Sequence, residues 1–144
     1  MDDPTGLPDR VGWEAVLEVE EQRSRRHGGD HALVLVGLAG AVDGRLAGKA
    51  AGAIAASVRD VDFIALIDRQ TLAVLALYCQ DIAALVGRLR RTFSAAGLPA
   101  DTLVDARPAG ADLRATWLAM AAEHASPMTS RYVDFVAPAS LPLN

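Results

Sequence analysis

The sequence predicts an α/β domain in which a single central mixed sheet of about five strands is covered by helices. Short, continuous apolar runs alternate with longer segments of helical periodicity, and two of the runs are close enough to form a hairpin. The chain has 144 residues, of which 51% are hydrophobic, so it can bury a core without metals or disulfides. We therefore expect one domain over residues 1–144, with an N-terminal segment (1–9) and a C-terminal strand and tail (126–144).

The first helix is predicted over residues 10–26. Asp9 is suited to cap it, because an aspartate side chain accepts hydrogen bonds from the free N–H groups of a first turn. Acidic residues come early in this helix and arginines late, which suits the helix dipole. The turn His27-Gly28-Gly29-Asp30 ends the helix, and the apolar run over 32–38 is short enough to be a buried strand.

The middle of the chain is predicted to form a helix followed by a β-hairpin. The helix spans 44–58, and small residues recur along it at every fourth position, at Gly44, Gly48 and Gly52. We interpret this ladder as close packing of the helix onto the sheet. Apolar runs over 62–67 and 71–78 are separated only by Asp68-Arg69-Gln70, which predicts the hairpin.

The last third of the chain begins with the clearest helix, over 81–96. Its apolar residues share one face, and Gly97 and Pro99 end it. The remaining elements are predicted as a strand over 102–106, a helix over 111–124 and a strand over 131–136.

Composition excludes several classes of protein. Fourteen Lys+Arg against 18 Asp+Glu give a formal net charge of −4, which argues against general nucleic-acid binding. Cys79 is the only cysteine, so the chain has neither a disulfide framework nor a multi-cysteine metal site. The N-terminus lacks the order of a secretion signal, and no run of about 18 apolar residues is free of charge. We expect a cytoplasmic domain with no membrane association.

Two segments resemble a known family. Residues 3–10 (DPTGLPDR) are similar to the start of GGDEF domains, the diguanylate cyclase family, and Arg59-Asp60-Val61-Asp62 matches the family's R-x-x-D motif. The order of elements agrees along essentially the whole chain. The resemblance implies the family's nucleotidyl-cyclase palm-like fold.

The chain departs from the family where catalysis occurs, so it resembles a degenerate GGDEF domain. The namesake turn reads Asp68-Arg69-Gln70-Thr71-Leu72, without the glycines and paired acids. Gly37 and Ala39 stand where active members carry an Asp-x-Asp pattern that helps to hold magnesium. Phosphoryl transfer needs hard oxygen ligands for its metal ions, and these residues offer no side-chain oxygen. We therefore expect no enzyme activity, no catalytic residues, no bound metal and no cofactor.

The retained R-x-x-D motif implies a regulatory function, because in the family this motif binds cyclic di-GMP. A guanidinium can donate two parallel hydrogen bonds to guanine or phosphate, and a carboxylate can accept from guanine N–H groups. Arg59 and Asp62 are the predicted ligand-binding residues, and we expect both to project from one edge of the domain. The alternative interpretation of the pair is an exposed ion pair that contributes little to stability.

Protein interaction or dimerisation is an alternative function. The domain could instead be a protein-interaction or dimerisation module, forming a homodimer or binding a signalling protein without any nucleotide. Its contact surfaces would then be the glycine ladder, the arginines of the 81–96 helix (Arg88, Arg90, Arg91) or the apolar end Leu141-Pro142-Leu143.

Enzyme chemistry of a different kind has few candidate residues, namely His124, Cys79 and Asp68, and nothing in the sequence brings them together. His27, Asp30 and His31 are metal-ligating residue types close in sequence, but in a glycine turn such residues are usually solvated.

Overall fold

The computed structural model describes residues 6–38 and 44–124. Every predicted element in this range is confirmed, with bounds within two residues of those expected. The predicted strand over 131–136 lies outside the described residues. The elements are α1 (Arg10–His27), β1 (Ala32–Gly37), α2 (Gly44–Ser57), β2 (Phe63–Asp68), β3 (Thr71–Ala76), α3 (Ile82–Ala95), β4 (Leu103–Pro108) and α4 (Leu113–Glu123).

The four described strands form one sheet in the order β2-β3-β1-β4. All three pairings are antiparallel, so the expected mixed sheet is wrong for the described strands. The reason is the connection through α2, which places β2 two positions away from β1 in the sheet. The hairpin then places β3 between β1 and β2, antiparallel to both. β1 and β2 run in the same direction but are not neighbours, as in other β-α-β-β-α-β arrangements.

Helices cover both faces of the sheet, as the sequence predicts. Alternate residues of β1 point to opposite faces, so Val34 and Val36 pack with α2 and α3, whereas Leu33 and Leu35 pack with α1 and α4. Burial on both faces explains why this strand is a continuous apolar run rather than an alternating one.

The α1–α4 face carries a buried charge. Glu21 is buried on α1 and accepts hydrogen bonds from the Arg114 backbone N–H (3.0 Å) and from Arg114 Nη2 (3.1 Å) on α4. Burial raises the pKa of Glu21, but the hydrogen bonds from Arg114 outweigh it and hold the pKa below its ordinary value. This ion pair links α1 to α4.

Two details of the helices test the sequence analysis. The predicted cap is confirmed, because Asp9 Oδ1 accepts from the Gly12 N–H at 3.0 Å. The close packing expected of the glycine ladder is wrong: among the described atoms, none would lie within 4 Å of a methyl group added at Gly48 or Gly52. The small residues of α2 that pack on the sheet are alanines, namely Ala47, Ala50, Ala51 and Ala53. Within the described part of the chain, no helix has the length and hydrophobicity of a membrane span.

Candidate functional site

Arg59 and Asp62 lie in the tight turn between α2 and β2, at the open end of the β2–β3 hairpin. The turn is closed by reciprocal hydrogen bonds: the Arg59 N–H donates to Asp62 Oδ2 (3.0 Å) and the Asp62 N–H donates to the Arg59 carbonyl (3.0 Å). The R-x-x-D spacing therefore has a local structural cause, because an aspartate three residues on caps the N–H of the first residue.

The Asp62 side chain points into the protein and is only 3% exposed. Its Oδ1 accepts from the Leu77 N–H, just beyond β3, at 3.0 Å, and from Arg59 Nη2 at 3.3 Å. The expectation that both side chains project from one edge is therefore wrong for Asp62. Its carboxylate fixes the turn and holds the end of β3 against it.

Arg59 is the side chain of the pair that reaches solvent, with 55% exposure. Its Nη2 donates to the Leu77 carbonyl as well as to Asp62. A guanidinium has several N–H donors in a fixed plane, so holding Leu77 through one nitrogen is compatible with presenting the rest to a ligand.

Tyr78 and His31 complete this corner, and the sequence analysis did not identify them together. The Tyr78 N–H donates to His31 Nδ1 at 3.0 Å, and the two rings meet edge to face at a centroid distance of 4.8 Å. Tyr78 is 56% exposed, whereas His31 is 2% exposed. The two residues are 47 positions apart, so no local pattern could have paired them.

The hydrogen bond to Tyr78 fixes the state of His31. Because Nδ1 accepts, a proton on the ring belongs on Nε2. Burial lowers the pKa of His31 below its ordinary value of 6.5, and the charges of Glu20 and Asp30 oppose this shift only in part. His31 is thus a neutral acceptor in the core and not part of a solvated metal cluster.

A second guanidinium lies near the same corner. Arg88, exposed on α3, donates from Nε to the carbonyl of Ser57, the last residue of α2, at 3.3 Å. Of the arginines that the sequence analysis grouped with it, Arg90 instead donates to the Thr102 carbonyl at 3.0 Å. The polar face of α3 was visible in the sequence, but only the packing of α3 on α2 brings Arg88 to Ser57, two residues before Arg59.

The opposite end of the hairpin is the turn at the namesake position of the family. Asp68 Oδ1 accepts from the Gln70 N–H at 2.8 Å, so this carboxylate stabilises the turn itself. In the sheet, Thr71 pairs with both Gly37 of β1 and Asp68 of β2. Gly37 contributes no side-chain oxygen there, and Ala39 lies outside the described residues. The described residues at this end do not fit a magnesium site of the family's kind.

The other catalytic candidates do not converge. His124 Nε2 lies 2.7 Å from Asp105 Oδ2, at the β4 edge of the sheet, whereas Asp68 belongs to β2 at the opposite edge. Burial raises the pKa of Asp105, but hydrogen bonds from Arg107 and His124 lower it below its ordinary value. This cluster ties the end of α4 to β4. Among the described residues, no group of three or more His, Cys, Asp or Glu side chains is arranged to hold a metal ion.

Solved structures of GGDEF domains share this fold. The FimX GGDEF domain from Pseudomonas aeruginosa superposes with a TM-score of 0.64 at 18% identity, covering 96% of this chain and 93% of that one. A DGC protein from Thermotoga maritima gives a TM-score of 0.66 at 14% identity, covering 83% of this chain and 96% of that one.

Diguanylate cyclase SiaD from P. aeruginosa, solved with its activator SiaC, gives a TM-score of 0.59 at 22% identity. The match covers 76% of this chain but 48% of SiaD, so the chain corresponds to about half of that protein. No protein-family model matches the sequence, and no curated protein matches it significantly. The chain therefore has a GGDEF-like fold, with similarity that resides in structure more than in sequence.

Proposed function

We propose that this chain is a non-catalytic regulatory domain that binds cyclic di-GMP at the corner formed by Arg59, Asp62 and Arg88. The observation that carries the proposal is the Arg59 guanidinium, which is anchored at one nitrogen and exposed over more than half of the side chain. An anchored arginine loses little conformational freedom on binding, so its charge-assisted hydrogen bonds contribute more to affinity.

Asp62 acts in this proposal as a positioning residue rather than as a direct ligand contact. Its carboxylate is buried and accepts from Arg59 and Leu77, so it sets the direction of the guanidinium. Arg88 adds a second exposed positive charge near the end of α2. In this proposal Arg59 and Arg88 each bind one of the two phosphates of the ligand, because a guanidinium can bind a phosphate in bidentate fashion.

The absence of catalysis is proposed because the hairpin turn offers few oxygen ligands for a metal ion. Arg69 and Gln70 occupy the turn, and the Asp68 carboxylate is used by the Gln70 N–H. Metal-assisted phosphoryl transfer would need carboxylate oxygens at this end to hold magnesium, and Gly37 provides none. With MgCl₂ and GTP, we expect no cyclic dinucleotide by chromatography; product formation would refute this part.

Calorimetric titration with cyclic di-GMP tests the binding part. We expect saturable binding to the full chain, and we expect Arg59→Ala to weaken it at least roughly 10-fold, since one charge-assisted bidentate contact contributes about 1.5–3 kcal/mol. Arg69→Ala is the matched control: it removes another exposed arginine, at the far end of the same hairpin, and should leave affinity unchanged. Absence of binding at cyclic di-GMP concentrations up to about 100 μM would refute the receptor function.

Protein interaction or dimerisation is the second candidate, favoured by an open groove between α1 and α4. Ala15, Trp117 and the exposed Leu118 line it together with Glu14 and Glu18. Leu118→Glu should then abolish a dimer detected by analytical ultracentrifugation, whereas Arg59→Ala should leave it intact. A strictly monomeric wild-type chain would remove dimerisation from consideration.

A further inference from the structure

We propose that the exposed ring of Tyr78 is a stacking platform for a guanine base of the ligand held by Arg59. This inference rests on the proposed function and extends it, because it assigns the base to a residue outside the R-x-x-D motif. It would make Tyr78 a determinant of affinity for planar purines rather than for phosphate alone.

The backbone of Tyr78 is the first observation. Its φ of 51° lies in the left-handed region, and it is the one described non-glycine residue with a positive φ. A bulky side chain is strained in this conformation, which persists only when the surroundings impose it. Glycine would occupy the same position without strain, so the ring is held there at a cost to stability.

The restraints on Tyr78 come from the site itself. The peptide unit that joins Leu77 to Tyr78 is held at both ends: its carbonyl accepts from Arg59 Nη2, and its N–H donates to His31 Nδ1. The preceding N–H, of Leu77, donates to Asp62. The Arg59 guanidinium and the backbone of Tyr78 are therefore fixed relative to each other through a single peptide unit.

The position of the ring is the second observation. One side of Tyr78 meets the buried His31 ring edge to face, yet 56% of the residue remains exposed. The His31 ring therefore contacts the Tyr78 ring on one side, and more than half of Tyr78 stays open to solvent. Pre-positioned aromatic rings bind bases well because stacking then costs little conformational entropy.

The two groups together match the chemistry of a guanine nucleotide. The guanidinium can bind a phosphate or the O6 and N7 edge of guanine, and the phenol ring can pack against the face of the base. Removing a stacking ring weakens binding of a single base by roughly 5-fold to more than 100-fold. A phosphate-only ligand would gain nothing from the ring.

The test compares variants at Tyr78 by calorimetric titration of the full chain with cyclic di-GMP. Tyr78→Phe keeps the ring and should bind within about 2-fold of wild type. Tyr78→Asn and Tyr78→Gly remove the ring while tolerating a positive φ, and each should bind at least roughly 5-fold more weakly. Circular dichroism shows which of these two variants remains folded, and the affinity of that variant is compared with wild type.

A second readout detects stacking directly. The chain has two tyrosines, so NMR can follow the ring protons of Tyr78, assigned by their absence in Tyr78→Phe. A stacked purine should move them upfield on titration, and the shift should be missing in Arg59→Ala.

The outcomes separate the two proposals. If wild type and the ring-less variants bind equally while Arg59→Ala does not bind, the stacking platform is wrong and the receptor function stands. Equal losses in Tyr78→Phe and Tyr78→Asn would overturn stacking in favour of a role for the hydroxyl group. If wild type does not bind cyclic di-GMP, both proposals fail together. Retained binding in Arg59→Ala with loss in Tyr78→Asn would overturn the role of Arg59 alone.

Discussion

The two ends of the β2–β3 hairpin are built differently. At the turn, the Asp68 side chain makes one local hydrogen bond, to the N–H two residues on. At the open end, side chains from two separate segments hold the backbone of a third: Asp62 and Arg59 hold Leu77, and His31 holds Tyr78. The turn also contacts the segment after β1, because the Leu38 N–H donates to the Gln70 carbonyl at 2.7 Å, but its side-chain contact is local. The open end is held by side-chain contacts between segments that are far apart in the chain.

The two ends also differ in how far they resemble GGDEF domains. The turn at the namesake position reads Asp68-Arg69-Gln70, without the glycines and paired acids of the family's motif. The R-x-x-D motif remains, and its contacts give it a structural role whether or not a ligand binds. Retention of the motif is therefore not by itself evidence of binding, and stability and ligand affinity have to be measured separately.

The largest expected effect compares the two aspartates. Asp62→Ala should lower the free energy of unfolding by about 3 kcal/mol, because it leaves the Leu77 and Arg59 N–H groups without their acceptor. Asp68→Ala removes a single local hydrogen bond and should cost only about 1 kcal/mol. Urea unfolding of both variants measures the difference; equal losses would mean that the open end is no more constrained than the turn.

The next prediction concerns pH and His31. The folded protein resists protonation of His31 because burial lowers its pKa, whereas in the unfolded chain His31 titrates near 6.5. The unfolded state therefore gains protons first, so the contribution of His31 to stability is complete above about pH 6.5 and is lost as the pH falls from there toward the lower folded pKa. Urea unfolding at about pH 7.5 and about pH 5.5 measures this loss.

His31→Asn is the matched control for the pH effect. An asparagine Oδ1 can accept from the Tyr78 N–H in the position of Nδ1 but does not titrate. The variant should lose less stability than wild type between the two pH values. An unchanged pH dependence would assign the effect to other groups.

A smaller effect is expected for the two exposed arginines. Arg59→Ala should cost about 1 kcal/mol or less, because the guanidinium is largely solvated and its ion pair is screened. Arg69→Ala, on the turn, should be within about 0.5 kcal/mol of wild type. Thermal unfolding compares them, and a severe loss in Arg59→Ala would assign this arginine chiefly to holding Leu77.

The smallest effect, and the opposite sign, is expected in α2 away from both ends. Gly48→Ala and Gly52→Ala each remove a flexible residue from a helix interior where a methyl group has room, so each should stabilise the chain by about 0.5 kcal/mol. Urea unfolding at low protein concentration measures this. Destabilisation that depends on protein concentration would instead indicate that the glycine face contacts a second chain.

Much of the fold could be predicted because its signals are local. Apolar runs, helical periodicity, and Asp9 before the first helix each depend on residues a few positions apart, and the elements that they predict within residues 6–38 and 44–124 are observed. The pairing directions of the strands could not be derived in this way, since the position of β3 between β1 and β2 depends on how α2 crosses the sheet. The same limit explains the glycine ladder, because periodicity cannot tell which face of α2 meets the core.

The candidate site, too, could be predicted only in part from the sequence. The sequence by itself determined the position of Arg59 and Asp62 and the absence of the family's glycines and paired acids at the turn, where Asp68 is the one acidic residue. Only the tertiary structure decided that Asp62 points inward, that Arg59 points outward, and that Tyr78, His31 and Arg88 join them. The physical reason is distance along the chain: a hydrogen bond between residues 47 apart exists only after the sheet has formed, and no local pattern records it.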